Sequence, residues 1–375
     1  MTLDDLREQI DRIDLEIKEL FLQRMKAAEA IAENKNKTGD KVLKPEREDA
    51  VVRRLTGDLD EEMRPAYASF LKKVMEVSRT FQYRKMLELG ADFIIGFLEE
   101  EPAVERISYQ GLPGSFSEMA AAALFPDAKR IPVGAFGGVF QSISNGGAQA
   151  GVVPLENTTA GSVYEVYDLL LSHDLYINAS HIVKVSHCLA AVPGAGMEGI
   201  REVYSHPQAL AQSAEFLKRH GLAAKHSSNT AVAAREVAES DNRSVAAICS
   251  KEAAERYGLV ILQEGVNHKK ENATKFVAVS GQLIVKDSHD KIAVVFACPH
   301  KSGSLAGVLG IFGDYGVNLT EIHSRPDGKN PWEYLFYVDF TGNLKDGRIR
   351  ALLYQLHEEL PFVKIIGSYE SRNQQ

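Results

Sequence analysis

Cysteine is scarce in this chain: three thiols in 375 residues, at Cys188, Cys249 and Cys298, far apart and with no Cys-x-x-Cys. That excludes a disulfide framework and the usual zinc spacing, and fits reduced, buried thiols in a cytoplasm. Long apolar runs are missing, and the first residues, Met1-Thr2-Leu3-Asp4-Asp5, are acidic, unlike a signal or transit peptide. An excess of positive charge is missing too. Lys and Arg total 43 against 51 Asp and Glu, and the net −8 argues against a general nucleic-acid binder. It also repels anions weakly at long range. Screening beyond roughly 10 Å leaves the recognition of an anion to local cations. No Ser/His/Asp set surrounds a nucleophile elbow and no His cluster has metal-ligand spacing, so neither a metal nor a cofactor is expected. What is present, 45% hydrophobic and 25% charged residues, describes a soluble globular protein of two or three domains.

Gly194-Ala195-Gly196-Met197-Glu198-Gly199 matches the dinucleotide fingerprint G-x-G-x-x-G. That motif counts only when it opens a crossover helix after a strand. Here the preceding apolar run ends in Pro193 and another resumes at Val203, which leaves no room for the helix. A glycine-rich loop is expected, and no NAD.

Leu3, Leu6, Ile10, Ile13, Ile17 and Leu20 recur at spacings of three and four, the seam of a long packing helix. Arg24 then stands where an apolar residue is due, Ala28, Ile31 and Lys35 continue the face, and Arg7 flanks it. A charge on a packed face must be paired or meet a ligand. Gly39 ends this helix, Pro45-Glu46-Arg47-Glu48 opens a second, and a third starts near Pro65, with Ser78 and Gln82 on its apolar stripe. Singly these are helix decoration or solvated side chains. Jointly they predict a cation-rich polar pocket in a helical bundle. On Leu6-Arg7-Glu8, Arg24, Lys35, Pro45-Glu46-Arg47-Glu48 and Ser78-x-x-x-Gln82, the segment resembles the AroQ-type chorismate mutases, all-helical domains that interlock as dimers. The resemblance implies that Arg7, Arg24 and Arg47 bind the two carboxylates of chorismate, Arg7 reaching across the dimer, and that Ser78 belongs to the same substrate site. It further implies that Lys35 and Gln82 address the ether oxygen and Glu48 the ring hydroxyl. Lys44 departs from the family's usual acid.

After Glu99-Glu100-Glu101-Pro102, read as a linker, strands alternate with helices, and loops that run from strand ends into helix starts suit anion binding. Asn157, Thr158, Ser162, Ser205, Gln212, Asn229, Thr230 and Thr274 are the polar candidates; each alone reads as a turn or cap residue. Thr274 is expected at the entrance of a strand through Phe276-Val277-Ala278-Val279, and His206 is expected to be structural. Four segments together resemble prephenate dehydratase: Gly111-x-x-Gly114-Ser115-Phe116-Ser117, Pro154-x-Glu156-Asn157-x-x-x-Gly161-Ser162-Val163, Ser205-His206-Pro207-Gln208-Ala209-Leu210-x-Gln212 and Thr274-Lys275-Phe276. The resemblance implies two α/β lobes like those of type-2 periplasmic binding proteins. Prephenate would lie in the cleft against Asn157, Ser162, Ser205, Gln212, Thr274, Lys275 and Phe276, with Thr274 hydrogen-bonding the leaving hydroxyl. Lys275 replaces the family's usual arginine, which grips a carboxylate with two parallel bonds as a lysine cannot.

From about residue 290 the pattern reads strand, helix, strand, strand, helix, strand: Lys291–Ala297, Ser304–Tyr315, Val317–Ser324, Glu333–Phe340, Asp346–Leu360 and Val363–Tyr369. That order is ferredoxin-like. Gly303-Ser304-Leu305-Ala306 and Ser324-Arg325-Pro326, with His323 where a glutamate is common, resemble an ACT domain fused to prephenate dehydratases. The resemblance implies phenylalanine bound by these loops between paired domains; the alternative is a domain that only dimerises.

The expected fold class is therefore multidomain: an all-α domain at 1–92, a two-lobed α/β domain at 104–283 and an α+β ferredoxin-like domain at 290–375. The resemblances imply an enzyme that rearranges chorismate to prephenate and converts prephenate to phenylpyruvate, under feedback by phenylalanine, in a homodimer or higher homo-oligomer without membrane or nucleic-acid partners. A preference for arogenate, or a sensor that binds an aromatic precursor without turning it over, are the alternatives. A mutase–dehydrogenase fusion fails with the dinucleotide motif.

Overall fold

The computed structural model describes residues 1–268, 271–326 and 334–371. Its first helix, α1 (Leu3–Thr38), starts at a capping box in which Thr2 and Asp5 bond each other's backbone N–H, and ends at Gly39 in the left-handed region, φ 72°. α2 (Pro45–Thr56) carries proline in its first turn with Glu46 and Glu48, and α3 (Met63–Glu88) begins two residues ahead of Pro65. The seam of α1 buries only its second half, at Met25, Ala28 and Ala32. Its first half is bare: Leu6, Ile13 and Ile17 are each 43% exposed, and Leu3 and Leu20 each 64%.

The α/β region runs β1 (Arg106–Gln110), α4 (Phe116–Leu124), β2 (Lys129–Val133), α5 (Phe136–Ser144), β3 (Ala150–Asn157), β4 (Gly161–Ser162), α6 (Tyr164–Ser172) and β5 (Tyr176–Lys184). It continues β6 (Cys188–Ala191), β7 (Glu202–Ser205), α7 (Pro207–Gln212), α8 (Ala214–Arg219), β8 (Ala223–His226), α9 (Thr230–Ser240), β9 (Val245–Cys249), α10 (Lys251–Arg256), β10 (Val260–Glu264) and β11 (Ala273–Ser280). Two sheets result. One has the order β5-β11-β3-β1-β2, the other β10-β6-β9-β7-β8, and each makes a lobe. The first lobe packs Ile107, Tyr109, Val152 and Phe276 under α4. In the second, successive residues of β9 face opposite cores, Cys249 and Ala247 on one side and Ile248 and Ala246 on the other, as a strand covered on both faces requires. Between β6 and β7 there is only a 3-10 turn at Met197–Gly199, so the glycine motif opens no crossover helix.

The last region is β12 (Lys291–Ala297), α11 (Ser304–Asp314), β13 (Leu319–Pro326), β14 (Tyr334–Thr341), α12 (Gly347–Glu359) and β15 (Phe362–Tyr369), the βαββαβ order expected, with β13 as an edge. Glu333, the expected start of its third strand, lies outside the described residues.

The chain divides into two compact units, Met1–Gly96 with Val294–Lys364, and Phe97–Ala293 with Ile365–Gln375. The first unit thus joins the N-terminal helices to most of the C-terminal region. α3 packs on α1 and α2 and also on α11 and α12. Tyr83 and Tyr354 meet edge to face at 5.4 Å between ring centroids, in a core shared with Ala32, Val42 and Met86.

Candidate functional sites

Each unit holds one candidate catalytic site. In the first, a cavity of about 560 Å³ is lined by Arg24, Lys35, Lys44, Arg47, Ser78, Arg79 and Gln82, with Asp40 and Glu48 the acids. The predicted bundle pocket is therefore formed, and it is cationic. Lys35 on α1 donates to the Val42 carbonyl (2.9 Å) and to Gln82 Oε1 (3.1 Å), which uses two of its three protons and leaves one for a ligand. Burial lowers the Lys35 pKa, and the charges of Lys44 and Arg47 push the same way. Arg24, its pKa also lowered by burial, donates to the Val74 carbonyl at 3.1 Å. Lys44 pairs with Asp40 at 2.9 Å. Arg7 is not brought to this pocket within one chain: it lies on the bare half of α1, its guanidinium 3.3 Å from Asp4. Arg79 was missed by the sequence reading. It donates to both oxygens of Glu48, at 2.6 and 2.8 Å.

In the second unit a cleft of about 520 Å³ is lined by Ser115, Phe116, Asn157, Ser162, Gln212, Asn229, Thr230, Asn272, Thr274 and Phe276, among others. β3 runs on to Asn157 because β11 pairs with it, and the register sets Thr274 opposite Asn157. The Asn157 amide is oriented without ambiguity. The backbone N–H groups of Thr159 and Ala160 can only donate, so Oδ1 faces them (2.9 Å each), and Nδ2 donates to Asn272 Oδ1, Ala273 O and Thr274 Oγ1 (2.9, 3.1 and 2.9 Å). Thr274 Oγ1 is an acceptor in that bond, and no described residue takes its proton. Asn272 in turn donates to Gln212 Oε1 at 3.0 Å. His187, another residue the sequence reading missed, is only 2% exposed at the cleft wall. Burial pushes its pKa down to about 4 against the pull of the Gln212 side chain, so the ring is neutral.

Several expected residues stand elsewhere. Ser205 is fully buried, its hydroxyl donating to the Ile248 carbonyl at 2.6 Å, and it supports the second lobe's sheet instead of lining the cleft. Lys275 falls between Thr274 and Phe276, on the opposite face of β11, where its ammonium donates to Tyr369 Oη at 3.0 Å. Thr158 bonds the backbone of Glu271 and Ala273. His206, expected to be structural, lines the cleft and caps α7, its Nδ1 accepting from Gln208 N at 3.2 Å. The local cations expected around an anion occur in the helical pocket. The described lining of the cleft contains no Lys, Arg, Asp or Glu; it offers hydroxyls, amides and the starts of α4 and α9. In the C-terminal region Gly303, in the left-handed region at φ 80°, leads Ser304, Leu305 and Ala306 into α11, while His323, Ser324, Arg325 and Pro326 lie on the edge strand β13 with His323 opposite Tyr337.

Comparison with known proteins matches three family models along the chain: chorismate mutase type II over residues 6–83, prephenate dehydratase over 107–283 and the ACT domain over 292–358. A curated bifunctional chorismate mutase/prephenate dehydratase of Neisseria gonorrhoeae is 35% identical over 378 residues, covering 98% of each chain. The Arabidopsis thaliana chloroplastic arogenate dehydratase/prephenate dehydratase 6 is 37% identical, over 70% of this chain and 68% of its own. The crystal structure of prephenate dehydratase from Arthrobacter aurescens in complex with L-Phe superposes with a TM-score of 0.67 at 31% identity, over 72% of this chain and 91% of that one.

Proposed function

Given that the chain belongs to the family of bifunctional chorismate mutase/prephenate dehydratases with a C-terminal ACT domain, we propose how its residues divide the work, over domains at 1–92, 104–283 and 290–375. The helical pocket rearranges chorismate to prephenate. A Claisen rearrangement needs no nucleophile, only a folded substrate and donors fixed on the ether oxygen where charge develops. Arg24 and Arg47, with Ser78, take the carboxylates of chorismate, the free proton of Lys35 and the amide of Gln82 meet the ether oxygen, and Glu48 accepts the ring hydroxyl. Arg7 of a second copy closes the site. Removing a donor of this type costs roughly 2.7–4 kcal/mol in the barrier.

The α/β cleft eliminates water and carbon dioxide from prephenate. As the C–C bond to the ring carboxylate breaks, its electron pair enters the ring and the C–O bond of the hydroxyl breaks. Aromatisation drives both, and a hydrogen bond to the departing oxygen is the main help required. The observation that carries this reading is the one-way bond from Asn157 Nδ2 to Thr274 Oγ1, which leaves the threonine proton for the leaving group. Gln212, Ser162 and Phe276 shape the rest of the wall. Helix starts at α4 and α9 supply N–H donors for the carboxylates where no described cation does.

Phenylalanine, held by Gly303–Ala306 and His323–Pro326 between paired C-terminal domains, closes the feedback loop, and the protein works as a cytoplasmic homodimer. Among the described residues no helix is long and apolar enough to cross a membrane. The relatives named arogenate dehydratases favour a second substrate reading, arogenate in place of prephenate, decided by comparing kcat/KM on the two compounds.

The test follows chorismate through both steps with two variants. Lys35→Ala is expected to lose prephenate formation by about 10²-fold or more and keep conversion of added prephenate; Thr274→Ala is expected to do the reverse. A Thr274→Ala protein with normal phenylpyruvate output would remove the threonine from the mechanism, and a wild-type chain that makes no phenylpyruvate would leave a ligand sensor.

A further inference from the structure

Glu48 is the mutase pocket's recognition carboxylate, and both of its oxygens are already engaged. Arg79, only 8% exposed, takes them through one nitrogen, Nη1. The other edge of the same guanidinium, Nε, donates at 2.8 Å to Glu359 Oε1, near the end of α12 in the C-terminal region of the same compact unit. Glu359 is itself fixed. Gln355, one turn earlier, donates to its Oε1 at 3.1 Å, and Thr80, next to Arg79 on α3, donates to Gln355 Oε1 at 3.3 Å. Burial pushes the Glu359 carboxyl up, and the Arg79 guanidinium pulls it back toward the ionised form. A planar guanidinium clamped on two edges has little freedom to rotate, and it transmits that constraint to whatever it holds. A second tie between the same regions, Lys73 to Asp314 at 2.8 Å on α11, keeps α3 in register with the C-terminal helices.

We infer that Arg79 is a positioning residue for Glu48, and that Glu359 on α12 sets Arg79, so that the ACT region supports the mutase site and can change how the pocket reads the ring hydroxyl of chorismate. This rests on the mutase reading above. The chain of contacts is specific: α12 to Glu359, to Arg79, to Glu48, to the substrate hydroxyl. A shift of α12 that withdrew Glu359 would free one edge of Arg79 and let it follow Glu48 away from the substrate. The inference gives the C-terminal region a route to the mutase step that does not pass through the dehydratase cleft.

The experiment uses the full-length protein without phenylalanine and three variants, Glu359→Ala, Glu359→Asp and Arg79→Lys. Mutase kcat/KM for chorismate is measured beside that for an analogue lacking the ring hydroxyl, with dehydratase kcat/KM on prephenate as the control for folding. Glu359→Ala is expected to lower mutase kcat/KM for chorismate by about tenfold, the scale of one lost bond to a charged group, mainly through KM. It is expected to leave the analogue and the dehydratase step nearly unchanged. Glu359→Asp should recover part of the preference for the hydroxyl, and Arg79→Lys, which cannot span both acids, should lose it. Equal falls on chorismate and on the analogue would assign Glu359 a structural role only and overturn the proposal, as would unchanged mutase constants in Glu359→Ala. A wild-type protein that does not rearrange chorismate would instead overturn the mutase reading itself.

Discussion

A hydroxyl assists a leaving group only when its proton is free, and at Thr274 that freedom depends on the orientation of Asn157. The amide is fixed by two backbone donors that can only meet its oxygen, so the threonine must accept on one side and can donate on the other. His187 is set by a different force. It is buried against the Phe116 ring, 5.7 Å away, and is neutral because its folded pKa is depressed to about 4. In the unfolded chain it would bind a proton below about 6.5. Between those values the unfolded state carries the extra proton, so stability is fully present above about pH 6.5 and is lost as pH falls toward 4, by roughly 3 kcal/mol. Urea unfolding of the wild type and of His187→Gln at pH 7.5 and 4.5 checks this. The wild type should lose more stability than the variant by about that amount, and equal losses would mean the ring is protonated in the fold. Lys35 stands out in the sequence as a charge on an apolar seam, whereas Thr274 alone reads as a turn residue and is singled out only by the resemblance carried by Thr274-Lys275-Phe276. Arg79 could not be read from the sequence. Its role comes from Glu48 and Glu359, 31 and 280 positions away, which no local pattern connects.

At the scale of elements, strand alternation decides what reaches the cleft. It turns Thr274 and Phe276 toward the cleft and Lys275 out to Tyr369. Pro154 in β3 cannot donate to a ladder, which ordinarily ends a central strand. The strand continues because the register with β11 shifts there, Phe276 facing Pro154 and Lys275 facing Glu156, and this bulge accommodates the proline. The β1–α4 loop is set just as narrowly. Gly114 sits at φ 89°, and a Cβ there would lie 2.7 Å from the Ala253 backbone on α10. Ser250 Oγ donates to the Gly114 carbonyl at 2.8 Å and Tyr257 Oη to that of Pro113 at 3.2 Å, so the loop is tied across from one lobe to the other. Gly114→Ala must displace it. Dehydratase kcat/KM is expected to fall by roughly 10²-fold, the scale of an ångström of misplacement at a site, while mutase kcat/KM is kept. A variant with normal dehydratase constants would show that the two lobes tolerate a wider spacing.

At the scale of the molecule, the unfinished surface is the first half of α1. Its apolar residues follow a packing seam, yet Leu3, Leu6, Ile10, Ile13, Ile17 and Leu20 are all exposed, and Arg7 lies among them with an exposed side chain that meets Asp4. Apolar surface of that extent on one helix face calls for a cover, and a second copy of the same seam is self-complementary under two-fold symmetry. Arg7 would then serve the partner's cavity, beside Lys35 of that chain. Sharing of this kind has a measurable arithmetic. Arg7→Ala and Lys35→Ala homodimers should each lack mutase activity. Unfolding the two together and refolding them allows mixed dimers, in which the Arg7→Ala chain keeps its Lys35 and receives Arg7 from its partner. Random pairing makes half the dimers mixed, with one complete site of two in each, so about a quarter of wild-type mutase activity should return. The dehydratase step, confined to one chain, supplies the yield of refolded protein. Recovery near zero with full dehydratase activity would place Arg7 in its own chain's site or outside the mechanism.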